Sequence, residues 1–348
     1  MISDVLQLFL DTNIWLSFYS LTRDDLEELR KVGVLIDNDR LKLYVTDQVR
    51  DEFRRNRENK FAAAMKKFTD GGLPDQIPQF CKDYESEFSQ IRSAIRSYKD
   101  ARDRLVKQVT KDFEQRALKA DEIIELLFDK AIRIEVTDEM IGKAHHRQLR
   151  GNPPGKGQGA IGDEINWECL LASLPQAEDL YVIADDEDWR RSKDGDRLKP
   201  YLQWEWQEAK TSQIFYYREL TSFFKEKFPD IKLAKELEKE IAVKRLVAST
   251  STEEAKAALR RLSKHDDFST VQMDAILGSC LKNVAVCGMV DDKEVEYYLR
   301  LAVRFEATTL SEDDVLSFYD HYFRETDVEA GLISPSDPIR LLADDIPF

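Results

Sequence analysis

The sequence predicts an α/β fold with a parallel sheet flanked by helices, an inserted helical hairpin and a C-terminal all-helical domain. Short apolar runs alternate with amphipathic stretches over the first half of the chain, as in parallel sheets. A long stretch of helical periodicity interrupts this alternation, and no strand-like run is evident after residue 207. We therefore divide the chain into 1–206, with a helical insertion at 71–135, and a helical domain of unknown role at 207–348.

Three apolar runs are predicted to form strands that end in polar residues. LQLFL (6–10) stops at Asp11, and the following IWLSFYSL is predicted to be helical. LKLYVT (41–46) is the second predicted strand, and a long helix follows it. YVIADD (181–186) is the third, and acids end it. Because ligand sites in parallel sheets lie beyond the carboxyl ends of the strands, we expect Asp11 and Asp186 to share a site.

The predicted insertion at 71–135 begins with the breaker GGLPDQIP (71–78). The apolar residues that follow have a four-three spacing with Arg102 as the one polar interruption, which predicts a long amphipathic helix. They are Tyr84, Phe88, Ile91, Ile95, Tyr98, Leu105 and Val109. We expect DEIIELLFDKAI (121–132) to be the return arm of a hairpin that packs on its neighbours or clamps a substrate. Further on, 290–303 and 311–323 begin with acids, which favour helix N-termini.

The composition excludes several classes of protein. No run of about eighteen apolar residues is present, so no membrane span is expected. The 4 cysteines form no CxxC pair, which argues against a disulfide framework or a structural zinc site. A net charge of -15 argues against binding nucleic acid over the whole surface, although a local basic rim stays open. The first residues lack the features of a secretory signal, so a cytoplasmic location is expected.

Four acidic positions lie where a strand ends or a helix begins. They are Asp11, Glu52, Asp163 and Asp186. Each alone could be a helix cap or a solvated charge. Together, their order and their element types favour a site in which carboxylates repel one another unless a cation binds. An all-oxygen site suits Mg2+ or Mn2+, and two such ions can hydrolyse a phosphodiester bond.

These motifs resemble those of PIN-like domain nucleases, specifically the larger bacterial type with helices inserted after the first acidic helix. The matching segments are LDTN (10–13), VTDQVRDEF (45–53), PPG (153–155), IGDEINWECLL (161–171) and VIADDEDW (182–189). The resemblance spans nearly all of residues 1–190 and nothing beyond residue 206. It implies catalytic and metal-binding roles for Asp11, Glu52, Asp163 and Asp186, an accessory metal-binding role for Asp188, and supporting roles for Asn13 and Thr46.

One departure from the family pattern concerns the last acidic motif. The family often has Thr or Ser where this chain has Ala184, which leaves Asp185, Asp186 and Asp188 as competitors for the fourth acidic role.

The glycine-rich loop GNPPGKGQGAIG (151–162) does not match a nucleotide-binding Walker motif, because that motif has Ser or Thr after its Lys and here Gly157 follows Lys156.

Basic residues near the acidic motifs are candidate contacts to nucleic-acid phosphates. They are Arg54, Arg55, Arg150, Lys156 and Arg190. The resemblance implies a metal-dependent endonuclease that acts chiefly on single-stranded RNA, which ranks RNA before DNA as the nucleic-acid partner. A free ribonuclease would be toxic, so we also expect restraint by a regulatory protein or by self-association through the helical regions.

Three alternatives remain at this point. A nuclease of the same fold could act on DNA. The chain could also be a catalytically inactive PIN-like interaction module, although the presence of all four acids argues against loss of the catalytic site. A phosphatase of the haloacid dehalogenase type also starts with a strand ending in Asp, but it needs a second acid where this chain has Asn13.

Overall fold

The computed structural model contains two compact units, Met1–Ile231 and Lys232–Phe348. The residues it describes are 5–20, 25–70, 79, 81, 84–155, 159, 161–191, 197–229, 231–265 and 267–287. The predicted helices at 290–303 and 311–323 lie outside these ranges, as does Lys156. Within the described ranges, no helix combines the length and apolar character needed to cross a membrane.

The first unit contains a five-stranded sheet in the order β3-β2-β1-β4-β5, and every pairing is parallel. The strands are β1 (Leu6–Leu10), β2 (Leu41–Thr46), β3 (Ile132–Ile134), β4 (Leu180–Ile183) and β5 (Ile214–Tyr217). Strand order reverses at β1, which lies between β2 and β4. Parallel sheets bind ligands beyond the strand ends at such a reversal.

Helices cover both faces of the sheet. They are α1 (Thr12–Ser17), α2 (Leu26–Asp37), α3 (Asp47–Asp70), α4 (Glu85–Glu114), α5 (Lys119–Lys130), α6 (Asp138–Leu149), α7 (Gly162–Ser173), α8 (Pro200–Lys210) and α9 (Leu220–Lys227). All of β4 is buried, as is β1 from Gln7 onward. Successive strand residues point to opposite faces, so continuous burial requires cover on both. The predicted parallel sheet with flanking helices is confirmed.

The strands β3 and β5 were not predicted, and β5 changes the position at which the first unit ends. β5 pairs with β4 and α9 follows it, so the first unit extends to Ile231 and does not end at residue 206. β5 has four residues, three of them only half-buried, and a short edge strand of this kind gives a weak apolar signal. β3 lies inside the predicted insertion at 71–135, and two of its three residues are exposed.

The predicted return arm of the hairpin is a core helix. This helix, α5, packs against α2, and its residues Ile124, Leu127 and Phe128 are buried. The Phe128 ring lies edge-on to Trp15, with 4.8 Å between the ring centroids. The apolar face of α5 therefore contributes to the first unit's core, and the expected pairing of 121–132 with the long helix stays a prediction.

The long helix α4 covers the predicted amphipathic stretch and has contacts with α3. The Phe61 and Phe113 rings stack with 3.8 Å between their centroids. Farther along, the Arg102 guanidinium donates to the Thr69 carbonyl at 3.3 Å. These contacts join α4 to the helix that begins directly after β2, and so to the region of Glu52.

The secondary-structure elements in the described part of the second unit are all helices. Its helices are α10 (Ala234–Ala248), α11 (Thr252–Leu262), α12 (Thr270–Lys282) and α13 (Val284–Cys287). Their apolar faces form one core that includes Leu246, Leu259 and Ile276. Ser269 and Gln272 form a reciprocal capping box at the start of α12, which satisfies backbone groups that would otherwise lack partners.

Candidate metal centre

Asp11 lies at the centre of the predicted site, at the carboxyl end of β1. It caps α1, and its Oδ2 accepts a hydrogen bond from the Asn13 backbone N–H at 3.5 Å. Its own N–H donates to the Ile183 carbonyl at 2.9 Å, which ties it to the end of β4. Burial, followed by the charge of Glu52, raises the pKa of Asp11 to about 7. The sheet therefore fixes a carboxylate that is costly to ionise.

Glu52 comes from the second turn of α3 and faces Asp11. The Thr12 hydroxyl donates to Glu52 Oε2 at 3.2 Å. A Cβ at Gly162 would lie 3.4 Å from the same oxygen and 2.7 Å from Gln48 Nε2, so the glycine allows α7 to begin close to α3. Sequence reasoning missed both Thr12 and Gly162, although each directly adjoins a predicted acid.

Asp163 lies in the first turn of α7, among the other acids. The carboxylates of Asp163, Asp186 and Asp188 offer ligand oxygens that all lie within 4.8 Å of one another. Burial raises the pKa of Asp163 to about 9, and the charges of Asp11, Asp188, Asp186 and Glu52 add to this shift. Such mutual repulsion is what a bound cation would relieve.

The three aspartates that follow β4 lie in two different places. Asn13 Nδ2 donates to Asp186 Oδ2 at 3.4 Å, and the Asp188 N–H donates to Asp186 Oδ1 at 3.3 Å. Asp185 is exposed and pairs with Arg218, with 2.7 Å between Oδ1 and Nη2. The geometry therefore brings Asp186 and Asp188 into the acidic cluster and leaves Asp185 outside it.

Thr46, which ends β2, reaches the cluster only through other residues. Its hydroxyl donates to Asn166 Oδ1 at 2.6 Å and accepts from the Val49 N–H at 3.1 Å. Thr46 and Asn166 are fully buried. The pair thereby joins the start of α3, which carries Glu52, to the helix that carries Asp163. Asn166, which stands between the apolar residues Ile165 and Trp167, was the sequence signal for this contact.

We expect Thr46→Val to reduce the free energy of unfolding by about 1 to 3 kcal/mol, because it leaves buried hydrogen-bonding groups without partners. Chemical denaturation measures this effect. Thr69→Val is the matched control, since the Thr69 hydroxyl bonds only carbonyls of its own helix and a small loss is expected. Equal losses in the two variants would contradict the role assigned to the Thr46–Asn166 contact.

The predicted basic residues lie at different places around the unit. Arg54 and Arg55 are exposed on α3, and Arg54 lies 3.9 Å from Asp51. Arg150 caps the C-terminus of α6. Arg190 donates to Glu187 at 3.3 Å. Their contact with a nucleic acid stays a prediction.

The side chains gathered at β1 and β4 suit a divalent cation. Five carboxylates from four chain segments approach one another, and all of their donor atoms are oxygens. Mg2+ and Mn2+ prefer such donors. The raised pKa values of Asp11 and Asp163 mark the electrostatic cost of this arrangement without a cation.

The parallel sheet and its acidic cluster define a nuclease-like α/β domain. A family model described as PIN domain matches residues 8–189, and the chain belongs to that family. The resemblance stated from the motifs is thereby confirmed. Comparison with curated proteins and comparison with solved structures each returned no match.

Proposed function

We propose that this protein is a Mg2+- or Mn2+-dependent endonuclease that hydrolyses phosphodiester bonds of single-stranded RNA. The observation that carries the proposal is the approach of five carboxylates at the carboxyl ends of β1 and β4. Buried like charges are costly, and metal-dependent phosphodiester hydrolysis is a function that requires them.

In this proposal Asp11, Glu52, Asp163 and Asp186 hold the metal, and Asp188 is an accessory ligand. A bound divalent cation would supply Lewis-acid polarisation of a phosphoryl oxygen and a lowered pKa of bound water. Two neighbours of Asp11 orient the ligands: the Thr12 hydroxyl fixes Glu52 Oε2, and the Asn13 amide fixes Asp186 Oδ2.

The preference for RNA rests on the family alone, and a DNA nuclease of the same fold is the second candidate. The proposed strand contacts are Arg54, Arg55, Arg150, Lys156 and Arg190, because cationic side chains position phosphates without reading sequence. With a net charge of -15, binding must depend on such local groups and on the metal. Restraint by a protein partner, self-association and a cytoplasmic location stay predictions.

The test is cleavage of end-labelled single-stranded RNA and DNA with Mn2+, Mg2+ or EDTA. We expect internal cuts in RNA that require metal and that Asp11→Asn reduces by about a hundredfold or more, as for groups that stabilise transition-state charge. Asp185→Asn is the control, since Asp185 is an exposed acid beside the cluster but outside it. Preferential cutting of DNA would support the second candidate.

Absence of cleavage, combined with absence of Mn2+ binding by calorimetry, would contradict the enzyme proposal. It would favour a catalytically inactive interaction module instead. Metal-dependent cleavage that Asp11→Asn leaves unchanged would show that the activity belongs to a different site.

A further inference from the structure

A polar cavity of about 270 Å3 lies in the first unit, outside the acidic cluster. Its walls come from α6, from Asn152, from Glu168 of α7, and from Tyr201 and Glu205 of α8. A cavity lined by charged and hydrogen-bonding groups is suited to a polar ligand.

The floor of this cavity is a fixed network around Arg147. This residue is 6% exposed, and its Nη2 lies 2.7 Å from Glu168 Oε1 and 2.6 Å from Glu205 Oε1. Its Nη1 donates to the Pro153 carbonyl at 2.8 Å, and Trp167 Nε1 donates to Glu205 Oε2 at 2.7 Å. Fixed donors therefore engage both oxygens of Glu205 and Oε1 of Glu168.

Two cationic side chains, Lys143 of α6 and Arg150 at its C-cap, lie at the rim of the cavity together with the His146 imidazole. Their spacing places all three on one helix face. Among the described residues, the side chains of His146 and Arg150 have no hydrogen-bond or ion-pair partner. Lys143 pairs with Glu139 at 2.7 Å, but the pair is exposed, and such pairs contribute little. These donors are available to a ligand.

We propose that this cavity, the α6 phosphate pocket, binds a terminal phosphate of the nucleic-acid strand that occupies the metal centre. Several cationic donors around a cavity match the oxygens of a phosphate monoester. A phosphate inside a strand has chain on both sides and can bind an open surface, whereas a cavity walled by three helices favours a strand end. Tyr201 adds an aromatic ring on which a terminal base can stack.

Helix α7 contributes residues both to the pocket and to the acidic cluster. Glu168 of the floor lies five residues after Asp163 on α7, which is about 7.5 Å along the helix axis. Glu164, one turn before Glu168, packs against Gly155 of the segment that follows α6. That the ligand belongs to a nucleic-acid strand rests on the proposed function, whereas that it is a phosphate rests on the residues that line the pocket.

The test uses the full-length protein in EDTA, so that binding is measured without cleavage. Fluorescence anisotropy compares short single strands that carry a 5′-phosphate, a 3′-phosphate or hydroxyl groups at both ends. We expect about tenfold tighter binding of one phosphate-ended strand than of the hydroxyl-ended strand. Lys143→Glu and Arg150→Glu should each remove most of this preference, and both positions are exposed, so the fold should tolerate the changes.

Lys244→Glu is the matched control, because Lys244 also forms an exposed i,i+4 pair, with Glu240 at 3.0 Å, in the second unit. Its terminal-phosphate preference should equal that of the wild type. Equal or undetectable binding of all strands by the wild type would overturn the proposal, as would a preference that both pocket variants retain.

A separate cleavage assay with Mn2+ distinguishes the two proposals. Terminal-phosphate preference without cleavage and without Mn2+ binding would contradict the nuclease and support the pocket. Cleavage without that preference would contradict the pocket alone.

Discussion

Asp163→Asn is expected to be more stable than the wild type in EDTA at neutral pH and to lose most of the stabilisation that Mn2+ gives. Burial and four neighbouring carboxylates raise the pKa of Asp163 from 3.8 to about 9. A carboxyl group with a raised folded-state pKa favours the folded state below its unfolded pKa, and this contribution is lost as the pH rises toward the folded value. The neutral amide has no such loss.

The stability difference between Asp163→Asn and the wild type should therefore widen from about pH 4 to about pH 9. At neutral pH we expect a stability difference on the order of 4 kcal/mol, since about 3 pKa units separate the unfolded pKa from pH 7 and each corresponds to about 1.4 kcal/mol. Thermal unfolding in EDTA across this pH range measures the difference. The same scans with Mn2+ should show a rise in Tm for the wild type and little rise for the variant.

Asp185→Asn supplies the control for this prediction. Asp185 follows the same strand but is exposed and paired with Arg218, so its amide variant should show no widening stability difference with pH. A parallel pH dependence of wild type and Asp163→Asn, or an equal Mn2+-induced rise in Tm, would contradict the assignment of Asp163 to the metal centre. The expected gain in stability with loss of function is typical of sites that keep costly charges for their chemistry.

The strands at the centre of the sheet were predictable because burial on both faces requires nearly all of their residues to be apolar. β4 is a continuous apolar run and β1 is apolar except for Gln7, and acids follow both strands closely, so the strands and the positions of Asp11 and Asp186 follow from the sequence. Edge strands lack this constraint. β5 keeps Phe215 and both tyrosines half-buried, and its pairing with β4 could not be inferred from four residues.

The supporting residues of the site were harder to predict than the acids. An apolar stripe shows which face of a helix is buried, but it does not identify the partner. For this reason α5 was assigned to a hairpin, although Phe128 packs on Trp15 in the core. The contact of Thr46 with Asn166 joins residues 120 positions apart, and only the assembled sheet brings them together.

The second large expected effect concerns a buried ion pair that joins three helices of the first unit. Arg57 of α3 donates from Nε and Nη2 to the two oxygens of Asp121 in α5, at 2.8 and 2.7 Å. It also donates to the Phe113 carbonyl of α4 at 3.1 Å, and its guanidinium lies 3.8 Å from that ring's centroid. The Tyr19 hydroxyl donates to Asp121 Oδ1 at 2.5 Å.

We expect Arg57→Ala to lower the free energy of unfolding by about 3 to 5 kcal/mol, because it leaves the Asp121 charge buried without its partner. Denaturant unfolding measures this loss. Arg54→Ala, three residues away and exposed, is the control and should cost about 0.5 kcal/mol or less. A double variant, Arg57→Met with Asp121→Leu, should recover part of the loss, since apolar groups of similar size often replace a buried pair without cost. The rest is not recovered, because the Tyr19 hydroxyl and the Phe113 carbonyl lose their partners.

The position of Arg57 connects this stability to the metal centre. Glu52 and Arg57 lie on the same helix, five residues apart, so the network that holds α4 and α5 also fixes the segment that presents Glu52. Mn2+ affinity should therefore fall in Arg57→Ala, even where the variant is folded, and recover in the Met/Leu double variant. Calorimetric titration measures both. Unchanged affinity in a destabilised Arg57→Ala would show that the network stabilises the fold without positioning Glu52, and the inserted helix would then be independent of the acidic cluster.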